Sequence, residues 1–338
     1  MIVNRKLFCE ILDAIKFGLS KSKSLESMLY FQFTGKYLIA YNNQILAKHK
    51  FESDFTGFVH ANNLIRTMNK ITDKEVSIAV ENENFIIKSS KVKLKLALLN
   101  DEEIKERTDI IIAEVKKCEW IKVPENFLEC LKLCHFAISK NESQNTLQYA
   151  YINKDQMFAS DNNRIALTPL SKKMKTMLIK HDVISVLSDL DVKQYGITKS
   201  HLHFKNDDDK FTLSIRRVVG KYPDFSEILE DAKKGTEITL SSGISDNLEI
   251  SEIFSTEFDS SVTIKIKKGA CFISANSDAG KMNTKTKIDY KGEDLEFHIN
   301  PTFLNEMLSY SSTIIHGEGK VSLQSKNLLL ITALMEKD

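Results

Sequence analysis

Asp161 and Arg164 stand three residues apart in the run Phe158-Ala159-Ser160-Asp161-Asn162-Asn163-Arg164-Ile165, a spacing that could set a carboxylate against a guanidinium. His181-Asp182 could set a base beside an acid. Neither pair has a catalytic frame around it: the sequence holds no Gly-rich phosphate loop, no HExxH, no G-x-S-x-G and no paired carboxylates at a recognisable spacing. An unrecognised hydrolase is therefore the weaker reading, and the chain reads as a protein without enzymatic activity. Cys130 and Cys134 lie one helical turn apart with His135 beside them, which is half of a zinc site. No second ligand pair accompanies them, so the expectation is buried thiols that behave as small apolar groups, with no metal and no cofactor.

The elements that would position these groups carry ordinary soluble composition, 42% apolar and 28% charged over 338 residues. That length exceeds one ordinary core and predicts two or three domains. The five cysteines are scattered and odd in number, which argues against a disulfide framework. The N-terminal stretch intersperses charges with apolar residues and lacks the apolar run of a secretory signal, so a cytoplasmic location is expected. Net charge is only +1, but residues 236–338 hold 10 Lys/Arg against 15 Asp/Glu, leaving the first two thirds at +6. A polyanion would meet those two thirds more favourably.

One pattern recurs six times: a short strand, an amphipathic helix, then alternating strands. The helices are predicted to start near Asn4, Ala61, Pro124, His181, Ser242 and Pro301, at intervals of about 57 to 63 residues. Phe8, Ile11, Leu12, Ile15 and Leu19 form the stripe of the first, and Leu64, Ile65, Met68 and Ile71 that of the second. The fifth, around Gly243, has the poorest propensity. Period-two runs such as Val92, Leu94, Leu96, Leu98 and Val262, Ile264, Ile266 predict half-buried strands, and Asn82-Glu83, Asp207-Asp208 and Lys268-Gly269 predict hairpin turns. One unit of about 55 residues buries too little surface to stand alone, so pairs of units are expected to form three α+β domains of antiparallel sheet and helix, 1–117, 118–234 and 235–338.

Four stretches in order resemble the bacterial β sliding clamp, the processivity subunit of a replicative polymerase. They are residues 158–167 (FASDNNRIAL), 218–229 (VVGKYPDFSEIL), 297–308 (FHINPTFLNEML) and the apolar terminal strand 328–335 (LLLITALM). The family's Thr-Asp-Gly-His-Arg-Leu becomes Ser160-Asp161-Asn162-Asn163-Arg164-Ile165, with asparagines at the glycine and histidine positions. These departures point to a divergent clamp, of phage or mobile-element origin, with partners of its own.

The resemblance implies a DNA clamp fold with helices lining a ring and sheets outside, closed by a head-to-tail homodimer. It implies a ring that encircles duplex DNA without reading sequence, tethers a replicative polymerase, is opened by a clamp loader and associates with the nucleoid during replication. Phosphate contacts would come from Lys16, Lys21, Lys23, Arg66, Lys70, Lys74, Lys132 and Lys140 on or beside the first three helices. A peptide-binding pocket would be built from Ser160, Asn162, Asn163, Arg164, Ile165, Pro223, Ile228, Asn300, Phe303, Leu330, Thr332 and Leu334. The competing reading is a β-rich structural repeat protein that never touches nucleic acid, and it has no need of six amphipathic helices.

Overall fold

The computed structural model describes residues 1–22, 26–141, 143–254, 261–278 and 280–336. Its elements follow the sixfold pattern. The first repeat is β1 (Ile2–Asn4), α1 (Arg5–Ile15), β2 (Tyr30–Thr34), β3 (Tyr37–Tyr41) and β4 (Ile45–Lys50); the second is β5 (Thr56–His60), α2 (Ala61–Lys70), β6 (Glu75–Glu81), β7 (Asn84–Lys88) and β8 (Lys93–Leu99). A helix outside the pattern, α3 (Glu102–Lys117), precedes the third repeat. That repeat and the fourth comprise β9 (Ile121–Lys122), α4 (Phe127–His135), β10 (Tyr149–Ser160), β11 (Arg164–Lys180), α5 (His181–Asp189), β12 (Gln194–Ile197), β13 (His201–Lys205) and β14 (Phe211–Arg216). After a short α6 (Ser226–Asp231) come β15 (Thr236–Thr239), α7 (Gly243–Glu252), β16 (Val262–Lys267), β17 (Ala270–Ser277) and β18 (Gly280–Lys287). The last repeat is β19 (Leu295–Ile299), α8 (Pro301–Leu308), β20 (Thr313–Gly317), β21 (Lys320–Gln324) and β22 (Leu329–Ala333).

Helix starts follow from local chemistry. The Asn4 and Asn300 side chains accept from the backbone N–H groups of Leu7 and Phe303, and Pro301 sits in the first turn of α8, where its missing N–H costs nothing. Hairpin turns fall at residues able to enter positive φ: Asn82 and Glu83 (47° and 58°) between β6 and β7, Lys268 and Gly269 (49° and 71°) between β16 and β17. Every strand pairing among the described residues is antiparallel. The first strand of a repeat crosses to its neighbour's sheet: β1 joins β6, β5 joins β2, β15 joins β20 and β19 joins β16. Neighbouring repeats are thus interleaved rather than merely stacked. β10 and β11 run on where other repeats turn, their register shifting around Lys154, whose φ is 57°.

The chain forms two compact units. The first, residues 1–128 and 185–218, holds one twelve-stranded sheet in the order β1-β6-β7-β8-β5-β2-β3-β4-β14-β13-β12-β9. Phe8, Leu12 and Ile15 of α1 and Leu64 and Met68 of α2 are buried with Phe31, Phe33, Ile78, Phe85 and Ile87 of the strands. α3 covers another part of this sheet, its Ile104, Ile111 and Ile112 packing with Met28, Ile39, Tyr41, Leu46 and Phe58. The helix is also tied by polar groups. Thr198 and Ser200 donate hydroxyls to the Glu114 carboxylate, and His201 Nδ1 lies 3.0 Å from it. Burial works against the Glu114 charge, but these hydrogen bonds prevail and hold its carboxyl below the usual range. His203 is fully buried beside this cluster, and burial, reinforced by His201, pushes its imidazole down to about 4.

The second unit, residues 129–184 and 219–338, holds a six-stranded sheet, β10-β11-β22-β21-β20-β15, and a four-stranded sheet, β18-β17-β16-β19. α7 and α8 pack together, burying Ile244, Leu248, Leu304 and Met307. Among the described residues no helix is long and apolar enough to cross a membrane.

Candidate partner-binding site around Arg164

The β10–β11 turn lies within the second unit and is built by Asp161. Its Oδ1 accepts from the backbone N–H groups of Asn163 and Arg164 (both 3.1 Å), while Ser160 Oγ accepts from that of Asn162 (3.3 Å). Asn162 sits at φ 76°, a conformation asparagine enters more easily than most residues.

Arg164 is held on every side. Its Nε donates to Asp161 Oδ2 (2.8 Å), one terminal nitrogen to the Phe136 carbonyl (2.7 Å) and the other to the Glu306 carboxylate. The guanidinium lies 4.2 Å from the Phe303 ring centre and 5.1 Å from that of Phe136. Burial raises the Glu306 carboxyl, and Arg164 opposes that shift. One side chain thereby joins the β10–β11 turn to α8. The backbone makes the same connection, since Arg164, Ile165, Ala166 and Leu167 pair with Thr332, Ile331, Leu330 and Leu329, and Ala333 N donates to the Asn163 carbonyl.

α6 covers the end of this seam. Ile165, Ala232 and Ile331 form a buried cluster with Phe225, Leu229 and Leu329 against it, and Ser322 Oγ donates to the Ala232 carbonyl. A concavity of about 510 Å³ opens beside α6, lined by Tyr151, Phe158, Tyr222, Pro223, Phe225 and Leu229 among others. The Tyr151 and Tyr222 rings stack there at 4.8 Å.

Comparison with solved structures bears on this arrangement. The chain is similar to the DNA polymerase III subunit beta of Pseudomonas aeruginosa, with TM-score 0.83 and 14% identity over 100% of both chains. It is similar to the sliding clamp of Bartonella birtlesii solved with griselimycin, with TM-score 0.85 and 15% identity over 100% of this chain and 99% of that one. A third likeness is to the DNA polymerase III beta chain of Streptococcus pneumoniae, with TM-score 0.84 and 18% identity over 99% of each chain. The chain has the bacterial sliding-clamp fold. No family model matches it, and no curated protein matches it by sequence. At these identities the clamp architecture persists although few of its residues do.

On this clamp fold the anticipated pocket residues fall into three groups. Ser160, Asn162, Asn163, Arg164 and Ile165 form the turn and its outgoing strand, with Leu330 and Thr332 paired alongside. Asn300 and Phe303 sit at the start of α8, the first as its cap and the second beneath the Arg164 guanidinium. Pro223 lines the concavity, while Ile228 points outward from α6 with 41% of its surface exposed, and half-exposed Leu334 follows β22. Phe225, Leu229 and Ala232 are the apolar residues that sequence reading missed. The i, i+4 spacing of Phe225 and Leu229 was the available signal.

Among the candidate DNA contacts, Lys16, Lys21, Arg66, Lys70, Lys74, Lys132 and Lys140 are all exposed, and Lys23 lies outside the described residues. Lys16 is paired with Asp13 at 2.7 Å. α7 and α8 carry no lysine or arginine. Cys130 and Cys134 are buried, and burial pushes the Cys134 thiol up to about 12. Among the described residues no group of three His, Cys, Asp or Glu is placed to hold a metal ion.

Proposed function

We propose that the chain is a DNA sliding clamp, a processivity factor that encircles duplex DNA and tethers replication proteins through short peptide segments. The full-length likeness to polymerase III beta clamps carries this reading. Its three domains are 1–117, 118–234 and 235–338, and its partners are duplex DNA, a replicative polymerase, a clamp loader and a second copy of itself. It works in the cytoplasm.

Ring closure follows from a pairing rule that the strands already obey twice. β4, the last strand of the first repeat, pairs with β14, the last of the fourth; β11, which ends the third, pairs with β22, which ends the sixth. The same step carried forward joins β18, ending the fifth repeat, to the β8 of a second copy. Among the described residues, β18 has β17 as its one partner in the sheet order, and β8 meets β5 only at Leu98 and Leu99. Two such joints close two chains head to tail and leave no free sheet edge at the seam.

Sliding requires phosphate attraction without base readout. Lys16, Lys21, Lys23, Arg66, Lys70, Lys74, Lys132 and Lys140 supply it, and the absence of cations from α7 and α8 makes the grip strongest in the first two domains. Partner segments dock at the seam around Arg164 and α6: Pro223, Ile228, Phe225 and the stacked tyrosines give the apolar surface, and Asn162, Asn163 and the strand end at Leu334 give polar and backbone anchors. Asp161 and Arg164 are occupied in mutual and structural bonds, which favours this scaffolding role over the hydrolase reading.

The test is retention on nicked circular DNA passed through a sizing column in salt. A clamp stays on the circle and is lost when the circle is cut. Equal retention on circular and linear forms would mean ordinary electrostatic binding.

A further inference from the structure

The second unit has another concavity, with different chemistry. In the sheet β18-β17-β16-β19 one face is buried, with Ile264, Ile266, Cys271, Ile273, Met282 and Phe297 inside, and α7 contacts β17 and β18. Register places alternate residues on the opposite face in rows. Glu296, Lys265, Phe272 and Lys285 lie side by side across the four strands, and Lys267, Ala270 and Lys287 form the next row. The short Ala270 side chain between two lysines leaves a hollow of about 530 Å³ lined by Lys267, Lys268, Gly269, Ala270, Phe272, Lys285 and Lys287.

The charge here opposes that of its surroundings. Residues 236–338 are acidic overall, yet seven of their ten lysines lie between 265 and 291. Lys265 and Lys267 are engaged by Glu296 (2.8 Å) and Asp294 (3.3 Å). Lys268, Lys285 and Lys287 have no acidic partner among the described residues, and the Lys285 ammonium reaches over the Phe272 ring at 5.5 Å. Lysines two residues apart on one strand are spaced about 6.6–6.8 Å, so Lys285 and Lys287 on β18 form a rail of positive charge, with the Phe272 ring beside it on β17 and Lys268 at the β16–β17 turn. That spacing is comparable to successive phosphates of an extended strand, and the ring is the platform that an unpaired base stacks on. A duplex buries its base faces and an acidic peptide supplies charge without a base, so neither uses the whole arrangement.

From this we infer that the outer face of the β16–β18 sheet binds single-stranded nucleic acid, with phosphates on Lys268, Lys285 and Lys287 and a base on Phe272. The site lies on the sheet face opposite α7, uses none of the cations assigned to duplex, and stands whether or not the ring reading does. The test is fluorescence anisotropy of a labelled oligothymidylate of about 12 nucleotides with the full chain, within the usual range of site sizes. Replacing Lys268, Lys285 and Lys287 together by Ala is expected to weaken binding at least tenfold and to flatten the log–log salt dependence by about 2, three charges at roughly 0.7 each. Phe272→Ala and Phe272→Leu should each weaken binding at least fivefold with the salt slope unchanged, the leucine separating loss of the ring face from loss of apolar bulk. Blunt duplex of the same length should bind all variants alike. Unchanged oligothymidylate binding by the lysine variant would overturn the inference. So would normal binding by both Phe272 variants with a glutamate-rich peptide competing as well as oligothymidylate, which would make this a surface for acidic peptides.

Discussion

The Arg164 guanidinium stacks on the Phe303 ring at 4.2 Å, and through that contact the turn ending β10 grips the first turn of α8. Only 13% of the Arg164 side chain is exposed, and it meets two carboxylates, a carbonyl and two rings. Arg164→Ala leaves the Asp161 and Glu306 charges without their cation, at an expected cost of about 2–3 kcal/mol, below the full range for buried pairs because Glu306 is partly exposed. Arg164→Lys should recover less than half, since a lysine lacks the planar fork. Urea unfolding of the whole chain measures both, and a midpoint unchanged by Arg164→Ala would contradict this role.

The two neighbours on α6 should separate cleanly. Leu229 packs against Ile165 and Ile331, whereas Ile228 faces outward. Leu229→Ala is expected to cost roughly 1–2 kcal/mol, less than a fully buried leucine. Ile228→Ala should stay within about 0.5 kcal/mol of the parent. The reverse order in urea unfolding would mean that α6 is turned the other way.

Acid should loosen the first unit through His203. Its folded value, about 4, lies below the unfolded 6.5, so the neutral form favours folding: the contribution is full above 6.5 and is lost as pH falls toward 4. Glu114, also lowered, acts in the same direction at lower pH. The histidine contribution is at most on the order of 3 kcal/mol. His203→Gln should reduce the drop in stability between pH 7 and pH 4.5, as followed by denaturant titration; an equal drop in the variant would assign the acid sensitivity elsewhere.

Why some of this was legible in sequence and some was not has physical causes. The repeat was legible because a buried helix face imposes its period locally, as in Phe8, Leu12 and Ile15, and the helices do begin at Arg5, Ala61, Phe127, His181, Gly243 and Pro301. α3 escaped because its stripe, Ile104, Thr108, Ile111, Ile112 and Val115, passes through a threonine and a run of three isoleucines that fits a strand equally well. The grip on Arg164 was not legible either: the motif exposes Asp161, three residues away, but Phe136 and Glu306 are 28 and 142 residues distant and meet it only in the fold. On α6, the inward role of Leu229 was not legible, because six residues are too short for periodicity to show which side chain packs on Ile165 and Ile331 and which, like Ile228, stays exposed.

The proposed seam between β8 and the β18 of a second copy predicts where dimerisation can be broken. Leu94 and Leu96 are half-exposed on β8, on the side where a second copy is expected to lie. Leu96→Asp should convert two-chain particles to single chains while circular dichroism stays unchanged.

The measurement that bears most directly on the ring is the solution mass of the intact chain by light scattering over a wide concentration range. In the proposed ring, two chains of three domains make six, so the expected particle has twice the chain mass and Leu96→Asp reduces it to one. A particle that stays at one chain at every concentration, or that settles at three, would contradict the clamp.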